Sequence, residues 1–406
     1  MRIPLAASGL RDKDILSALK TLRSGNLTMG SQVKAFESKM AQYLGKQYFI
    51  MMNSGSSANL AIFEALLRPS KGSPKLCIGD GVMVPAIAWP TTIWPIVQLG
   101  LSPVFVDIDV NTIGMDLDKA QEIFDNSNGT IKCIFPIHPL GYSLDNERLA
   151  RFAEKNGLIL INDVCESLGS WRNGIHAGSA GIASTFSFYF SHHITTMEGG
   201  GVATDYLDFA DDLRAIRSHG WSRDRSDVKS WTANVSTTDS KFLFVTTGFN
   251  IRPMEIQAAI GLLQIADLDS FIERRRTIAI TVKEALEGTK FSLIDGGCLS
   301  SPNEESAHSW MLLGIKIHTA NAEWDRTKIL EKLNQLGIET RPILTGNFLE
   351  QPALKRVAKN LPSASVFSSA SLISRTCFMV GAHHDLSDNQ IAYLAKSLRT
   401  TALDLT

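Results

Sequence analysis

Strand-like and helix-like segments alternate along the first half of the chain, and this alternation limits the possible folds more than any other feature. The runs 131–137 and 158–163 are short and apolar, as buried strands are. Between them, residues 145–155 place apolar side chains at helical spacing. A strand, a helix and a second strand in this order are typical of a parallel sheet covered by helices. The chain is therefore predicted to be an α/β protein.

Further segments extend the pattern and divide the chain. Helices are predicted over 12–22, 33–44 and 58–67, and strands over 81–85, 103–107, 184–190 and 201–204. A single long helix is predicted over 253–280, followed by strands over 310–317 and 340–344 and helices over 325–336 and 389–398. The polar stretch 221–241 has no clear period and is expected to be a functional loop. We place a boundary near residue 270, with a large domain over 1–270 and a smaller α+β domain over 271–406.

Composition and charge exclude several classes of function. The chain has 406 residues, with 40 basic side chains against 41 acidic ones, and lacks the basic excess that nucleic-acid binding normally needs. The basic run Arg274–Arg276 lies in a helical pattern and is expected to be a solvated helix face. The apolar runs fall short of a membrane span, and the first nine residues lack the apolar stretch of a secretory signal. We expect a cytoplasmic protein that binds neither nucleic acid nor membrane.

The cysteines are scattered along the chain. All five are far apart, at positions 77, 133, 165, 298 and 377. Without a Cys-x-x-Cys pair, the sequence suggests no disulfide framework, zinc ribbon or clustered iron–sulfur site. No metal site is predicted.

Small and hydroxyl-bearing residues from Asn53 to Asn59 lead into the helix predicted over 58–67. Gly55 lets the backbone approach a ligand, while Ser56 and the amides at the helix start supply donors for an anion. An N-cap serine on an ordinary helix explains the same pattern equally well. The segment is therefore a candidate phosphate site. Because no Walker lysine follows, a nucleoside triphosphatase is disfavoured.

Asp163 ends the strand predicted over 158–163, at the edge of a parallel sheet where ligands bind. A carboxylate there could pair with the protonated ring nitrogen of a pyridine cofactor and make that ring a better electron sink. A structural, hydrogen-bonded Asp is the commoner alternative. Glu166, three residues later, could contact the same cofactor or simply belong to the same loop.

The strand predicted over 184–190 runs into His192 and His193 and then into a glycine turn. Adjacent histidines on an extended chain point to opposite sides, so they do not readily chelate one metal. His192 as an acid–base residue, with a pKa near neutrality, is the functional interpretation. A structural role for both histidines is about as consistent with the pattern.

Taken together, these motifs resemble those of the nucleotide-sugar aminotransferases and dehydratases, a family of fold-type I pyridoxal-phosphate enzymes. The matching segments follow the family order: Leu27–Gly30, Asn53–Asn59, Val84–Trp89, Asp163, Ser187 and Gly248–Pro253. The resemblance implies an aspartate aminotransferase-like fold with a mostly parallel central sheet and a smaller α+β carboxyl-terminal domain. It implies cofactor contacts from Gly55, Ser56, Trp89, Asp163, Glu166, Ser187 and Asn250, and substrate contacts from Thr28, His219, Arg223 and Arg341. It also implies a homodimer in which the loop 248–253 enters the partner's active site.

Most of that family has a lysine where this chain has His192. Lysine binds pyridoxal phosphate covalently and shuttles a proton, whereas histidine can only shuttle the proton. Within the resemblance, histidine marks a branch of 3-dehydratases that make 3,6-dideoxy sugars such as colitose, a lipopolysaccharide O-antigen component. The implied reaction removes the C3 hydroxyl from a nucleotide-linked 4-keto-6-deoxy hexose, with GDP-4-keto-6-deoxy-D-mannose expected. It uses pyridoxamine phosphate regenerated by L-glutamate, with His192 as the catalytic residue.

Three alternatives compete with this interpretation. A branch member with an iron–sulfur cluster and a reductase partner is disfavoured by the scattered cysteines. A pyridoxal-phosphate-dependent sugar aminotransferase would need a lysine at or near position 192, and none occurs between Lys155 and Lys229. A non-catalytic cofactor or nucleotide-sugar binder stays open, although it is disfavoured by the retention of Asp163, Ser187, Asn250 and an ionisable His192.

Overall fold

A central sheet and a smaller second sheet organise the part of the chain that the computed structural model describes, namely residues 1–69, 75–233, 235, 239–299, 308–319, 322–358 and 361–404. In chain order, the strands are β1 (Tyr48–Met52), β2 (Gly81–Pro85), β3 (Ser102–Val106), β4 (Ile131–Ile134), β5 (Ile159–Asp163), β6 (Trp171–Arg172), β7 (Ile175–His176), β8 (Ala183–Ser187), β9 (Gly200–Thr204), β10 (Phe291–Leu293), β11 (Leu312–Ile317), β12 (Thr340–Arg341) and β13 (Cys377–Gly381). The helices are α1 (Asp12–Arg23), α2 (Ser31–Leu44), α3 (Gly55–Leu67), α4 (Pro90–Gln98), α5 (Leu117–Asp125), α6 (Asn146–Lys155), α7 (Leu207–Ile216), α8 (Val228–Thr232), α9 (Glu255–Ala266), α10 (Leu268–Leu286), α11 (Ala322–Gln335), α12 (Pro352–Val357), α13 (Ser368–Thr376) and α14 (Asp388–Leu403).

The central sheet has the parallel character that the sequence predicts. Within the described residues it contains seven strands in the order β1-β9-β8-β5-β4-β2-β3. The neighbours from β8 to β3 pair in parallel, and only β9 runs antiparallel, to both β1 and β8. The predicted α/β class is confirmed, and the carboxyl ends of β2, β5 and β8 meet at one edge, where ligands bind in such sheets.

The second sheet lies in the carboxyl-terminal part of the chain. Its strands, in the order β10-β11-β13-β12, pair antiparallel. They pack with α10, α11 and α14 around a separate apolar core. Ile3 belongs to that core and bridges to Ile338, so the start of the chain packs on the second sheet. The domain boundary near residue 270 stays a prediction.

The long helix predicted over 253–280 is wrong, because two helices, α9 and α10, meet at Asp267. The Asp267 carboxylate forms ion pairs with Arg11 and with Lys13 of α1. These ion pairs tie the junction between α9 and α10 to the start of α1. The side-chain period continues across the break, which is why the sequence pattern does not reveal it.

The prediction that Arg274–Arg276 form a solvated helix face is also wrong for its middle member. Arg275 is 1% exposed, whereas Arg276 is exposed. Consecutive residues of a helix point about 100° apart, so three in a row cannot share one face. Arg275 points inward, and its role is taken up below.

No helix among the described residues is both long and apolar enough to cross a membrane.

Because two histidines are buried, we expect the fold to lose stability in mild acid. Burial lowers the pKa of His138 and of His176 to about 4, against about 6.5 in an unfolded chain. Both rings are neutral in the fold, so the stability they give is present above pH 6.5 and is lost as the pH falls toward 4. We expect a loss of roughly 2 kcal/mol per histidine between pH 7.5 and 5. Thermal unfolding at pH 7.5, 6 and 5 measures it, and a constant Tm over that range would contradict it.

Candidate active site

A cavity of about 590 Å³ lies where the two sheets meet. Its walls come from the start of α3, from the chain just after β2, β5 and β8, and from β12 of the second sheet. Most of the residues predicted to contact cofactor or substrate line it: Gly55, Ser56, Trp89, Asp163, Glu166, Ser187, His192 and Arg341. The cavity therefore brings together the central-sheet motifs that the sequence singled out.

Four predicted residues do not line this cavity: Thr28, His219, Arg223 and Asn250. They lie on segments held to one another by backbone contacts. Thr28 bridges to Met254, and Asn250 bridges to Ser218. The His219 amide donates to the carbonyl of Phe249 at 2.8 Å. The side chain of Arg223 stacks on the ring of Trp221, with 4.0 Å from the guanidinium carbon to the ring centroid.

The start of α3 forms one wall of the cavity. It has both features considered for the sequence, an N-cap serine and a helix start open to a phosphate. Ser54 is the N-cap, and its Oγ accepts from the Ser57 amide at 3.1 Å. Gly55 begins the helix so close to β8 that a Cβ there would lie 2.7 Å from the Ser187 Cβ. Glycine is therefore required for this approach, which sets Ser187 beside a helix N-terminus. Such an N-terminus attracts phosphate.

Asp163 is buried, and its carboxylate is held in one orientation. Oδ2 accepts from Asn59 Nδ2 at 3.0 Å and from Thr92 Oγ1 at 2.8 Å. Oδ1 accepts from the Cys165 amide at 3.1 Å. Three hydrogen bonds therefore fix the plane of this carboxylate. Sequence reasoning missed the roles of Asn59 and Thr92, although Asn59 closes the Asn53–Asn59 segment and Thr92 follows Trp89 by three residues.

The remaining wall carries both charge and an aromatic ring. Arg341 of β12 lies over the ring of Trp89, with 5.2 Å from the guanidinium carbon to the ring centroid. Glu166 is buried and accepts from the Leu140 amide at 2.9 Å. Burial raises the pKa of Glu166, while the charge of Arg341 opposes that rise. Arg341 thus places a cation at the side of the cavity facing the second sheet.

His192 lies on a turn rather than at the end of an extended strand. The predicted strand 184–190 is too long, since β8 ends at Ser187. Beyond it, the Phe188 amide donates to Gly199 at 2.8 Å, and the Thr196 amide donates to Phe188 at 2.9 Å. The segment between closes into a loop that places His192 in the cavity wall. The neighbouring His193 points elsewhere, and its Nε2 lies 3.1 Å from the carbonyl oxygen of Ser309.

The expectation of a near-neutral pKa for His192 is wrong. Burial, followed by the charges of Arg275 and Arg341, lowers its pKa to about 4. The imidazole is therefore neutral near pH 7 and ready to accept a proton. Its Nδ1 is buried without a hydrogen-bond partner among the described residues, and a hydrogen bond to the backbone of Cys165 opposes part of the drop in the pKa.

These features fit a pyridine cofactor that carries a phosphate. Asp163 is oriented for a ring nitrogen, Trp89 offers an aromatic face, and Gly55 opens the helix start for the phosphate. None of the described residues that line the cavity is a lysine, so the cavity offers no amine for a covalent bond to the cofactor. Fold and site together define an enzyme of the fold-type I pyridoxal-phosphate class. The chain belongs to the DegT/DnrJ/EryC1/StrS aminotransferase family, whose profile matches residues 10–399.

Several relatives are similar over nearly the whole chain. GDP-4-keto-6-deoxy-D-mannose 3-dehydratase of Yersinia pseudotuberculosis is 36% identical over 393 residues, covering 96% of this chain and 96% of that protein. A crystal structure of a histidine-to-asparagine mutant of GDP-4-keto-6-deoxymannose-3-dehydratase, with bound GDP-perosamine, has a TM-score of 0.87 at 33% identity and covers 98% of this chain and 100% of that one. A structure of GDP-4-keto-6-deoxymannose-3-dehydratase with a trapped PLP-glutamate geminal diamine has a TM-score of 0.84 at 32% identity and covers 98% and 100%.

Proposed function

We propose that this chain is a pyridoxamine-phosphate-dependent 3-dehydratase of nucleotide sugars. It removes the C3 hydroxyl from GDP-4-keto-6-deoxy-D-mannose and yields a 4-keto-3,6-dideoxy sugar, with L-glutamate restoring the cofactor. The observation that carries the proposal is His192, a neutral and partly buried imidazole in a cavity whose described lining contains no lysine. Similarity to 3-dehydratases of this substrate over 96% of the chain supports it. The cytoplasm is the proposed location, in keeping with the scattered cysteines.

Each cavity residue has a role that follows from its chemistry. When bound, pyridoxamine phosphate supplies an amine that condenses with a keto sugar and a ring that accepts electrons. Asp163, fixed by Asn59 and Thr92, holds a proton on the ring nitrogen. Ser187 and the start of α3 bind the phosphate.

His192 performs the proton transfers. Its neutral imidazole can accept a proton, because its pKa of about 4 keeps the ring uncharged near pH 7. The imidazolium that results is a strong acid beside Arg275 and Arg341, so it gives the proton readily to the departing C3 hydroxyl. One residue thus serves as base and then as acid, without the covalent bond that a lysine would form.

A panel of substrates tests the proposed function. GDP-, CDP- and dTDP-linked 4-keto-6-deoxy sugars are supplied with glutamate and pyridoxal phosphate, and 2-oxoglutarate formation is followed. We expect the GDP-linked mannose derivative to give the highest kcat/KM, since relatives of that specificity match the chain from end to end. A higher kcat/KM for the CDP or dTDP sugar would overturn the substrate assignment, and no turnover with any of them would overturn the function.

We further propose a homodimer in which each subunit completes the active site of the other. Thr28, His219, Arg223 and Asn250 lie off the chain's own cavity, yet the resemblance gives them contacts to cofactor or substrate. Near Thr28, the surface is apolar. Its exposed members are Ile15, Leu16, Leu19, Leu22, Leu27 and Met254. Residues 15, 19 and 22 form one stripe on α1. A second copy of the chain that covers this surface would bring the four off-cavity residues to a cavity.

Mixing two inactive variants tests the shared site. His192→Asn and Asn250→Ala are each expected to be inactive alone. After subunit exchange, a mixed dimer carries both changes in one site and neither in the other, so the mixture should recover about a quarter of wild-type activity. The matched control mixes His192→Asn with Asp163→Asn, which lie on one cavity and should not complement each other. Recovery in the control, or none with Asn250→Ala, would contradict the proposal.

A further inference from the structure

Arg275 is a buried guanidinium that contacts the catalytic loop. It lies on α10, is 1% exposed, and its Nη2 donates to the carbonyl of His192 at 3.3 Å. Its Nη1 donates to the carbonyls of Met311 at 2.9 Å and Trp310 at 3.2 Å. A longer contact reaches the carbonyl of Ala382 at 3.4 Å. One side chain therefore joins the backbone of the His192 loop to the chain before β11 and after β13.

A buried charge normally has an ion-pair partner, and the charge of Asp385 acts on Arg275 only from beyond ion-pair distance. Among the described residues, no carboxylate forms an ion pair with Arg275, and its Nε has no hydrogen-bond partner. Burial lowers its pKa to about 10, so it is still charged near pH 7. Burying an unpaired charge is costly. An apolar side chain, as found at most buried helix positions, would pack at position 275 without that cost. A role in the site accounts for the arginine better than packing does.

The loop is tied to the same part of the second sheet a second time. His193 Nε2 donates to the carbonyl of Ser309 at 3.1 Å, one residue before Trp310. Met311 also lines the catalytic cavity, as does Arg341 of β12. The position of His192 is therefore coupled to the strands that carry Arg341.

The charged groups around His192 come from several elements. Two cations face it, Arg275 from α10 and Arg341 from β12, and Arg275 has the larger effect on its pKa. On the cavity side, the acids are Asp163, Glu166, Glu198 and Glu339, with Cys165 and Tyr189 the other titratable groups. Behind it are His193, His383, His384 and Asp385. Removing Arg275 therefore removes the larger of two positive charges and leaves the acids unchanged.

We propose that Arg275 is a positioning residue for His192: its guanidinium holds the carbonyl of the catalytic loop against the second sheet and places a positive charge beside the imidazole. This deepens the proposed function and rests on the role given there to His192. Position and charge are two separate effects of one side chain. Substitutions that keep or remove the charge can distinguish them.

The test compares R275M and R275K, with R276M as the matched control on the exposed neighbour. Imidazole NMR titration of the cofactor-free protein reports the pKa of His192, whose signal is assigned by its loss in H192N. We expect R275M to raise that pKa by roughly one unit or more, and R275K and R276M to leave it unchanged. In steady-state assays, kcat should fall roughly 10- to 100-fold in R275M and at least about fivefold in R275K, with KM within about threefold. The acid limb of kcat/KM should move to higher pH in R275M alone.

Each outcome decides the proposal. A folded R275M with an unchanged His192 pKa, or a loss of Tm without a change in kcat, would overturn it. If R275M does not fold, a wild-type kcat in R275K would overturn the proposal instead. The titration needs no turnover, so the two proposals can fail separately. If the wild type does not dehydrate its substrate but R275M still shifts the pKa of His192, the proposed function is refuted and the placement of Arg275 is supported.

Discussion

His192→Asn should abolish dehydration and lower kcat/KM by at least about 10³-fold, because an amide cannot take up and return a proton. Asparagine is close in shape to the inner half of histidine, so the loop between Phe188 and Gly199 should keep its course. Asp163, Ser187 and the start of α3 are unchanged, so cofactor affinity should stay within a few-fold of wild type. Steady-state assays measure the first effect, and absorbance titration with pyridoxal phosphate measures the second.

His318→Asn is the matched control for this variant. His318 is exposed on the second sheet, where its Nε2 contacts Ser292 Oγ at 2.6 Å, and its replacement should leave kcat/KM within about twofold of wild type. If His192→Asn kept a tenth or more of the activity, a different base would have to carry the proton. His219 would be examined first; it lies off the chain's own cavity, so this outcome would also bear on the proposed dimer.

Asp163→Asn should cost about 10³-fold in kcat and weaken cofactor binding. The buried carboxylate is the group that can hold a proton on a pyridine nitrogen, and a neutral amide cannot do so. The amide would also face Asn59 Nδ2 and Thr92 Oγ1, both of which donate to Oδ2 in the wild type. If the amide nitrogen takes the place of Oδ2, both of these donors lose their acceptor, and if it takes the place of Oδ1, the Cys165 amide loses its acceptor. We expect a protein that folds but binds pyridoxal phosphate with lower affinity and turns over very slowly.

The matched control is Asp208→Asn, an exposed carboxylate in the first turn of α7. This change should leave both kcat and cofactor affinity within about twofold, since the loss of an exposed N-terminal charge affects helix stability only slightly. Circular dichroism of both variants separates loss of fold from loss of chemistry. An Asp163→Asn enzyme with more than a tenth of wild-type kcat would show that the carboxylate is not needed for electron storage.

Local patterns carry much of the fold. The segments 81–85 and 201–204 are strands within a residue of the predicted bounds, and the helix predicted over 12–22 is Asp12–Arg23. The two strands are short apolar runs, buried along their whole length, and the helix has a clear period, so the sequence of each is sufficient. β13 was not predicted, because Cys377–Gly381 becomes a strand by pairing with β11 and β12. Its partners lie more than thirty residues away in the chain, and no local signal reveals them.

The contrast between local signals and distant contacts also explains which parts of the candidate site could be predicted from the sequence. Asp163 and Gly55 are predictable because a strand end and a helix start each have a local signature. The hydrogen bonds that orient Asp163 join residues 71 and 104 positions apart, so only the fold shows them. The low pKa of His192 depends on burial and on Arg275 and Arg341, which reach it from distant helices and strands. The sequence pattern places Arg275 on a solvated face, and only the packing of α10 shows that it points inward.

The most direct test of the account is the product formed from GDP-4-keto-6-deoxy-D-mannose and L-glutamate. Dehydration replaces the C3 hydroxyl with hydrogen and releases ammonia, so the account predicts a nucleotide sugar about 16 Da lighter than the substrate. It also predicts ammonia and 2-oxoglutarate in equal amounts with that product. An aminotransferase would instead give an amino sugar about 1 Da heavier than the substrate, without ammonia. Mass spectrometry and an ammonia assay on one reaction distinguish the two, and a stable amino sugar as the main product would contradict the account.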